Sequence, residues 1–135
     1  MRADPYIFFD GRCAEAFEFY RDSLGAEIKA LVHFRDMPGA SSSSGDRVMH
    51  AALSIGETTI LGSDGRTEGT SKPCGFSISL QVDDVTEAER LFAALSKGGQ
   101  IEVPLMTAPF AARFGKVADR FGTPWLIVSQ QSPTV

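Results

Sequence analysis

Short runs with two-residue alternation are interleaved in this chain with two stretches of helical spacing. "PYIFF" (5–9) is a β-rich run that Asp10-Gly11 ends. "RCAEAFEFYRDSLG" (12–25) reads as a helix. Ala16, Phe19, Tyr20 and Leu24 make its apolar stripe, and Gly25 supplies the C-terminal stop. "AEIKALVHFRD" (26–36) follows as a strand. Strict alternation puts Ile28, Ala30, Val32 and Phe34 on one face and Lys29, Leu31, His33 and Arg35 on the other. "RVMHAALSI" (47–55) and "TTILGSD" (58–64) read as two strands joined by a tight turn at Gly56-Glu57. "GFSISLQV" (75–82) alternates cleanly, with Phe76, Ile78, Leu80 and Val82 opposed to Ser77, Ser79 and Gln81.

"DDVTEAERLFAALSKGG" (83–99) is a marked helix. Asp83 or Asp84 caps it, Gly98-Gly99 end it, and Val85, Ala88, Leu91, Phe92 and Leu95 form its stripe. The remainder gives a strand at "QIEVPL" (100–105), a loop through "MTAPFAA" (106–112), and strands at "RFGKVAD" (113–119) and "TPWLIVS" (123–129). "MPGASSSSGD" (37–46) and "GRTEGTSKP" (65–73) are polar loops, the second of them a linker between halves.

The halves repeat. Glu15-Ala16 recurs as Glu87-Ala88, 72 residues on, and each helix is preceded by a strand and followed by a glycine and a new strand. The expectation is an α+β fold of paired βαβββ modules within a single domain spanning 1–135, the first module about 1–65 and the second about 74–130.

Composition narrows the function classes. The chain is long enough, at 135 residues and 43% hydrophobic, to bury a core without disulfides. A net charge of −4 provides no basic field for nucleic acid or anionic lipid. No run approaches the roughly 20 apolar residues of a membrane span, and "MRADPYIFF" lacks the pattern of a signal peptide. Cys13 and Cys74 have no ligand-like spacing and read as reduced thiols, so a cytoplasmic protein is expected.

Four segments taken in order, "YIFFDGRCAEAFEFYRDSLGAEI", "RVMHAALSIG", "LQVDDVTEAERLFAAL" and "RFGKVADRFGTPWLI", resemble the PhnB-like branch of the vicinal oxygen chelate superfamily. That superfamily includes glyoxalase I, bleomycin-resistance proteins and extradiol dioxygenases. The branch is often labelled 3-demethylubiquinone-9 3-methyltransferase. The resemblance covers most of the chain. It implies curved mixed sheets with a helix on each convex side, a concave cavity for a small molecule, and a homodimer. In metal-dependent members, His and Glu on concave-facing strand positions hold a divalent ion. One departure stands out: where the PhnB-like pattern commonly has "WAD" before the first "RFG", this chain has Phe110-Ala111-Ala112-Arg113.

The chemistry turns on His50, one of two histidines. In "RVMHAALSI", Met49, Ala51, Leu53 and Ile55 form the greasier, helix-facing set, which leaves Val48, His50, Ala52 and Ser54 toward the cavity. A catalytic divalent ion wants about three protein ligands and an open position. The metal-type positions elsewhere fall near Asp4 or Tyr6 in the first module and near Ser77 in the second, and the last strand offers no carboxylate. A complete metal centre is therefore not expected; His50 and Asp4 would be its members if one formed. His50 is either a ligand-contacting residue or a side chain hydrogen-bonded within the sheet. His33 reads as a solvated strand residue. Ser77 and Ser79 line either the cavity or another sheet. Tyr6, Phe8, Phe110 and Trp125 suit an apolar ligand wall or core packing, and Arg113 suits an anionic ligand or a surface ion pair.

No GxSxG elbow, P-loop or G-x-G-x-x-G follows a strand, and paired modules leave no room for a methyltransferase cofactor domain. Three functions stay open: a metal-free module that binds a small organic molecule, as in bleomycin-resistance proteins; a metal-dependent lyase, isomerase or dioxygenase that uses His50 as a ligand; and a protein whose site has decayed, leaving dimerisation as its main function.

Overall fold

The computed structural model describes residues 1–37, 45–65 and 73–130. The expected structures of residues 38–44 and 66–72, which make up most of the two polar loops, lie outside the described residues. The chain divides into two compact units, Met1–Ser71 and Lys72–Val135.

The first unit runs β1 (Tyr6–Phe8), α1 (Cys13–Leu24), β2 (Glu27–His33), a single 3-10 turn (Phe34–Asp36), β3 (Val48–Ile55) and β4 (Thr58–Ser63). Its sheet has the order β1-β4-β3-β2, with β1 parallel to β4 and the other neighbours antiparallel. The second unit repeats this as β5 (Ile78–Val82), α2 (Val85–Ser96), β6 (Gln100–Ala108), β7 (Ala111–Ala118) and β8 (Pro124–Ser129), in the order β5-β8-β7-β6. Each unit is a βαβββ module with one mixed sheet and one helix. The helices stand 72 residues apart, Cys13–Leu24 against Val85–Ser96, as the Glu-Ala repeat anticipates.

Gly25 ends α1 at φ 69, the left-handed value that favours glycine, and its N–H donates to Arg21 O. Asp84 caps α2, its carboxylate accepting from Glu87 N at 2.7 Å. The buried stripe of α2 is Ala88, Leu91, Phe92 and Leu95, as the spacing predicts. In α1 the buried set is Cys13, Ala16, Phe17 and Tyr20. Phe19 and Leu24 are half-buried, so the stripe is rotated toward Phe17. Gly62 explains why Phe17 fits: a Cβ on it would lie 2.9 Å from Phe17 Cζ. The helix lies directly on the glycine backbone.

Two bulges correct the alternation expected in the first unit. Ile28 pairs with Leu53 but Ala30 with Ala52, so Lys29 is extruded and Ile28 shares a face with Leu31, not with Ala30. Val32 pairs with His50 but His33 with Val48, so Met49 is extruded and Val48 is buried rather than cavity-facing. Two further expectations shift. "MTAPFAA" is mostly strand: Ala108 pairs with Ala111 across a two-residue turn at Pro109-Phe110. Phe76 precedes β5 and is exposed, so it does not continue the Ile78-Leu80-Val82 face.

Candidate functional site

The side of the first sheet away from α1 can be read row by row from the register. Ile7, Gly62 and Ala51 align on the helix side. Tyr6, Leu61, Ala52 and Ala30 align on the opposite, open side and form one continuous row. The neighbouring row carries Phe8 opposite Ser63 and His50 opposite Val32. A third row, beyond the first, carries Thr59, Ser54 and Glu27.

Tyr6 and Phe8 are 41% and 48% exposed although each is a large aromatic. Their rings lie 5.3 Å apart and tilted, and Tyr6 lies 5.7 Å from the His50 ring. Tyr6 Oη and His50 Nδ1 are 3.0 Å apart, a hydrogen bond between adjacent rows. His50 keeps its alternation with Ala51 and Ala52 and so faces this side, while the bulge at Met49 turns Val48 inward. The bulge is fixed by Asp64, whose carboxylate accepts from Val48 N, Gly11 N and Cys13 N, each at 2.8 Å. Arg47, next to Val48, donates to Asp64 O and Gly65 O and pairs with Asp10, whose φ of 51 places it in the turn after β1. One buried carboxylate thus ties the end of β4, the start of β3 and the entry to α1.

The structure therefore brings together Tyr6, Phe8 and His50. Asp4 lies at the third row and is engaged by Arg2, which also donates to Thr59 Oγ1. The other candidates belong to the second unit. Ser79 is exposed on the side of its sheet away from α2, beside Gln81, and Ser77 is half-buried just before β5. Trp125 is fully buried on the α2 side and its indole N–H donates to Asp119 Oδ2 at 2.9 Å, which makes it a core residue and not a ligand wall. Arg113 pairs with Ser129 on that same α2 side, opposite in facing to Ser79, and donates to Ala112 O and Thr107 Oγ1. Phe110 sits in the β6–β7 turn, 64% exposed, edge-on to Phe114 at 5.2 Å. His33 closes the 3-10 turn: its N–H donates to Asp36 and its Nδ1 lies 3.0 Å from Asp46 O.

Among the described residues, no three His, Cys, Asp or Glu side chains converge in a way that would hold an ion. His50 has turned Nδ1 to a phenol, and no carboxylate stands beside it in its row.

Sequence reasoning missed Asp64 and Asp119. Asp119 accepts from Phe121 N, Thr123 N and the Trp125 indole, and so organises the turn into β8. Both are acids placed directly after a strand ("LGSD", "KVAD"), and that shared position was the available signal.

Paired βαβββ units with these sheet orders define the architecture of the glyoxalase, bleomycin-resistance and dioxygenase class. Within it, the chain belongs to the family described as 3-demethylubiquinone-9 3-methyltransferase, whose sequence model matches residues 2–128. It is 39% identical to protein PA1353 from Pseudomonas aeruginosa, with 98% of this chain and 99% of that one covered at a TM-score of 0.89. It is 34% identical to protein YjdN from Escherichia coli K12, with 99% of each covered. A PhnB protein from Bacillus cereus shares the fold at 23% identity and a TM-score of 0.81, over 96% of this chain and 99% of that one. No helix among the described residues is long and apolar enough to cross a membrane.

Proposed function

We propose that this protein binds a small organic molecule on the open face of its first sheet, over Tyr6, Phe8 and His50, and that it does so without a complete metal triad. The observation that carries the reading is the Tyr6–His50 hydrogen bond at 3.0 Å beside two exposed aromatic rings. Apolar surface with a few fixed polar groups is the usual makeup of a small-molecule site. An exposed sheet face built only for solvent would carry charged or hydroxyl side chains in those rows. The cysteines are unpaired, Cys13 buried and Cys74 exposed, which supports a reducing, cytoplasmic setting. The family resemblance adds a homodimer to this reading, which light scattering tests.

The deciding experiment has two parts on the full chain. Metal content is measured after purification without a histidine tag, and again after soaking with Mn, Zn, Fe and Ni. A library of small organic fragments is then screened by the NMR signals of Tyr6, Phe8 and His50. The reading expects no stoichiometric metal and fragment shifts centred on those rings. Near-stoichiometric metal that disappears in His50→Ala would replace it with a metal-dependent lyase, isomerase or dioxygenase. Shifts centred elsewhere would remove the site.

A further inference from the structure

The same face restricts what it will hold. We infer that its ligand is an uncharged, flat molecule carrying a hydrogen-bond acceptor, such as an aryl carbonyl compound, and that anionic phosphonates and carboxylates are disfavoured. This rests on the reading of the first sheet's open face as the ligand site.

Shape comes from the row Tyr6–Leu61–Ala52–Ala30, in which a large ring stands at one edge and two alanines lie side by side at the other. Past Leu61 the alanines leave a low floor on the same row as the Tyr6 ring. A planar group fills such a step with ring-to-ring and ring-to-methyl contact.

The acceptor requirement comes from His50. Its Nδ1 is taken by Tyr6 Oη, and its Nε2 has no partner among the described residues. When Nδ1 accepts the phenolic proton, the neutral ring carries its hydrogen on Nε2. Nε2 then presents a donor to whatever lies on the face.

The charge requirement comes from what the two inner rows lack. Their members are Tyr6, Leu61, Ala52, Ala30, Phe8, Ser63, His50 and Val32, with no lysine or arginine among them. Charges at the third row are already matched, Arg2 with Asp4 and Lys29 with Glu27. An anion placed over Tyr6 would lose water without meeting a fixed cation.

The test compares three probes of one shape on the full chain: 2-acetylnaphthalene, naphthalene and 2-naphthylphosphonate. Binding is read from the Tyr6, Phe8 and His50 ring signals, and the His50 tautomer from its ring nitrogen shifts. The ketone is expected to bind tightest, with naphthalene roughly fivefold weaker for want of one hydrogen bond, and the phosphonate weakest. His50→Phe should abolish the difference between ketone and hydrocarbon while both still bind. A phosphonate that binds tightest with shifts at the same rings overturns the ligand class and leaves the site standing. A neutral His50 protonated on Nδ1 overturns it equally. If none of the three shifts these rings, the class fails. If the wider fragment screen is silent there too, the site itself fails with it.

Discussion

Asp64 is where a single substitution should do most damage to the first unit. Its carboxylate is 1% exposed and accepts from the N–H groups of Gly11, Cys13 and Val48. Truncation to alanine leaves those three donors facing a void. An unmet buried donor costs about 1–3 kcal/mol, and the Cys13 and Val48 donors are buried, so Asp64→Ala should lose about 2–6 kcal/mol. That is a large part of the roughly 5–15 kcal/mol that stabilises a domain. Asp64→Asn keeps Oδ1 for Gly11 and Cys13 but turns an amide N–H₂ toward Val48 N, and should lose about 2 kcal/mol. The assay is urea unfolding followed by circular dichroism, with the rate of Cys13 labelling as a local probe of the first unit. Asp64→Ala should also release the bulge at Met49 and shift the His50 ring signals. An alanine variant within about 1 kcal/mol of the parent, with Cys13 still protected, would refute the argument that this carboxylate organises the unit.

Three further outcomes follow from the packing. Burial, and after it the charge of Asp64, pushes the Cys13 thiol up from 9.0 to about 12. The folded state therefore holds its proton where the unfolded state releases it, and stability should be full below pH 9, decline as pH rises from there toward 12, and decline less in Cys13→Ala; a thiol reagent at pH 8 should modify Cys74 alone until denaturant is added. A Cβ on Gly115 would lie 2.7 Å from Phe92 Cε2 and 3.1 Å from the Leu105 backbone, so Gly115→Ala should cost about 1–3 kcal/mol in a urea titration. Ser129 Oγ is buried with no partner among the described residues, so Ser129→Ala should leave the melting temperature unchanged or raise it.

The fold was legible because each strand and helix carries its own period. The α2 stripe, the Gly25 stop and the turn at Gly56 depend on neighbours a few residues away, and local pattern reaches that far. The bulges at Lys29 and Met49 do not. They are set by which residue of β2 meets which residue of β3, and at Met49 by the carboxylate of Asp64, sixteen residues beyond Val48 and just past β4, so strict alternation misassigned Val48 and Ile28. His50 escaped the error because it lies on the far side of the bulge from Val48. "MTAPFAA" read as a loop because Pro109 and four small or polar residues depress its strand signal, while cross-strand pairing with β7 overrides propensity. Trp125 shows the limit of residue type as evidence: an aromatic at a strand start looks equally like wall or core, and only its bond to Asp119 settles it.

The two modules share a scaffold but solve the entry to their helices differently. In the second module two residues, Asp83 and Asp84, connect β5 to α2, and Asp84 caps the helix from within the connection. In the first module four residues connect β1 to α1, and Arg12 at the cap position makes no side-chain capping bond. The free donors at Gly11 and Cys13 are met from across the sheet by Asp64. Asp84 and Asp64 also serve different donors. An aspartate at the cap position accepts from the second or third N–H of the helix, as Asp84 does from Glu87 N, whereas Asp64 accepts from the first, Cys13 N, and from Gly11 N before it. Arg12→Asp should therefore add about 1 kcal/mol equally to the parent and to Asp64→Ser, an additivity that a double-mutant cycle reads directly. If Arg12→Asp adds more to Asp64→Ser than to the parent, the two carboxylates serve the same donors and this account of the helix entry fails.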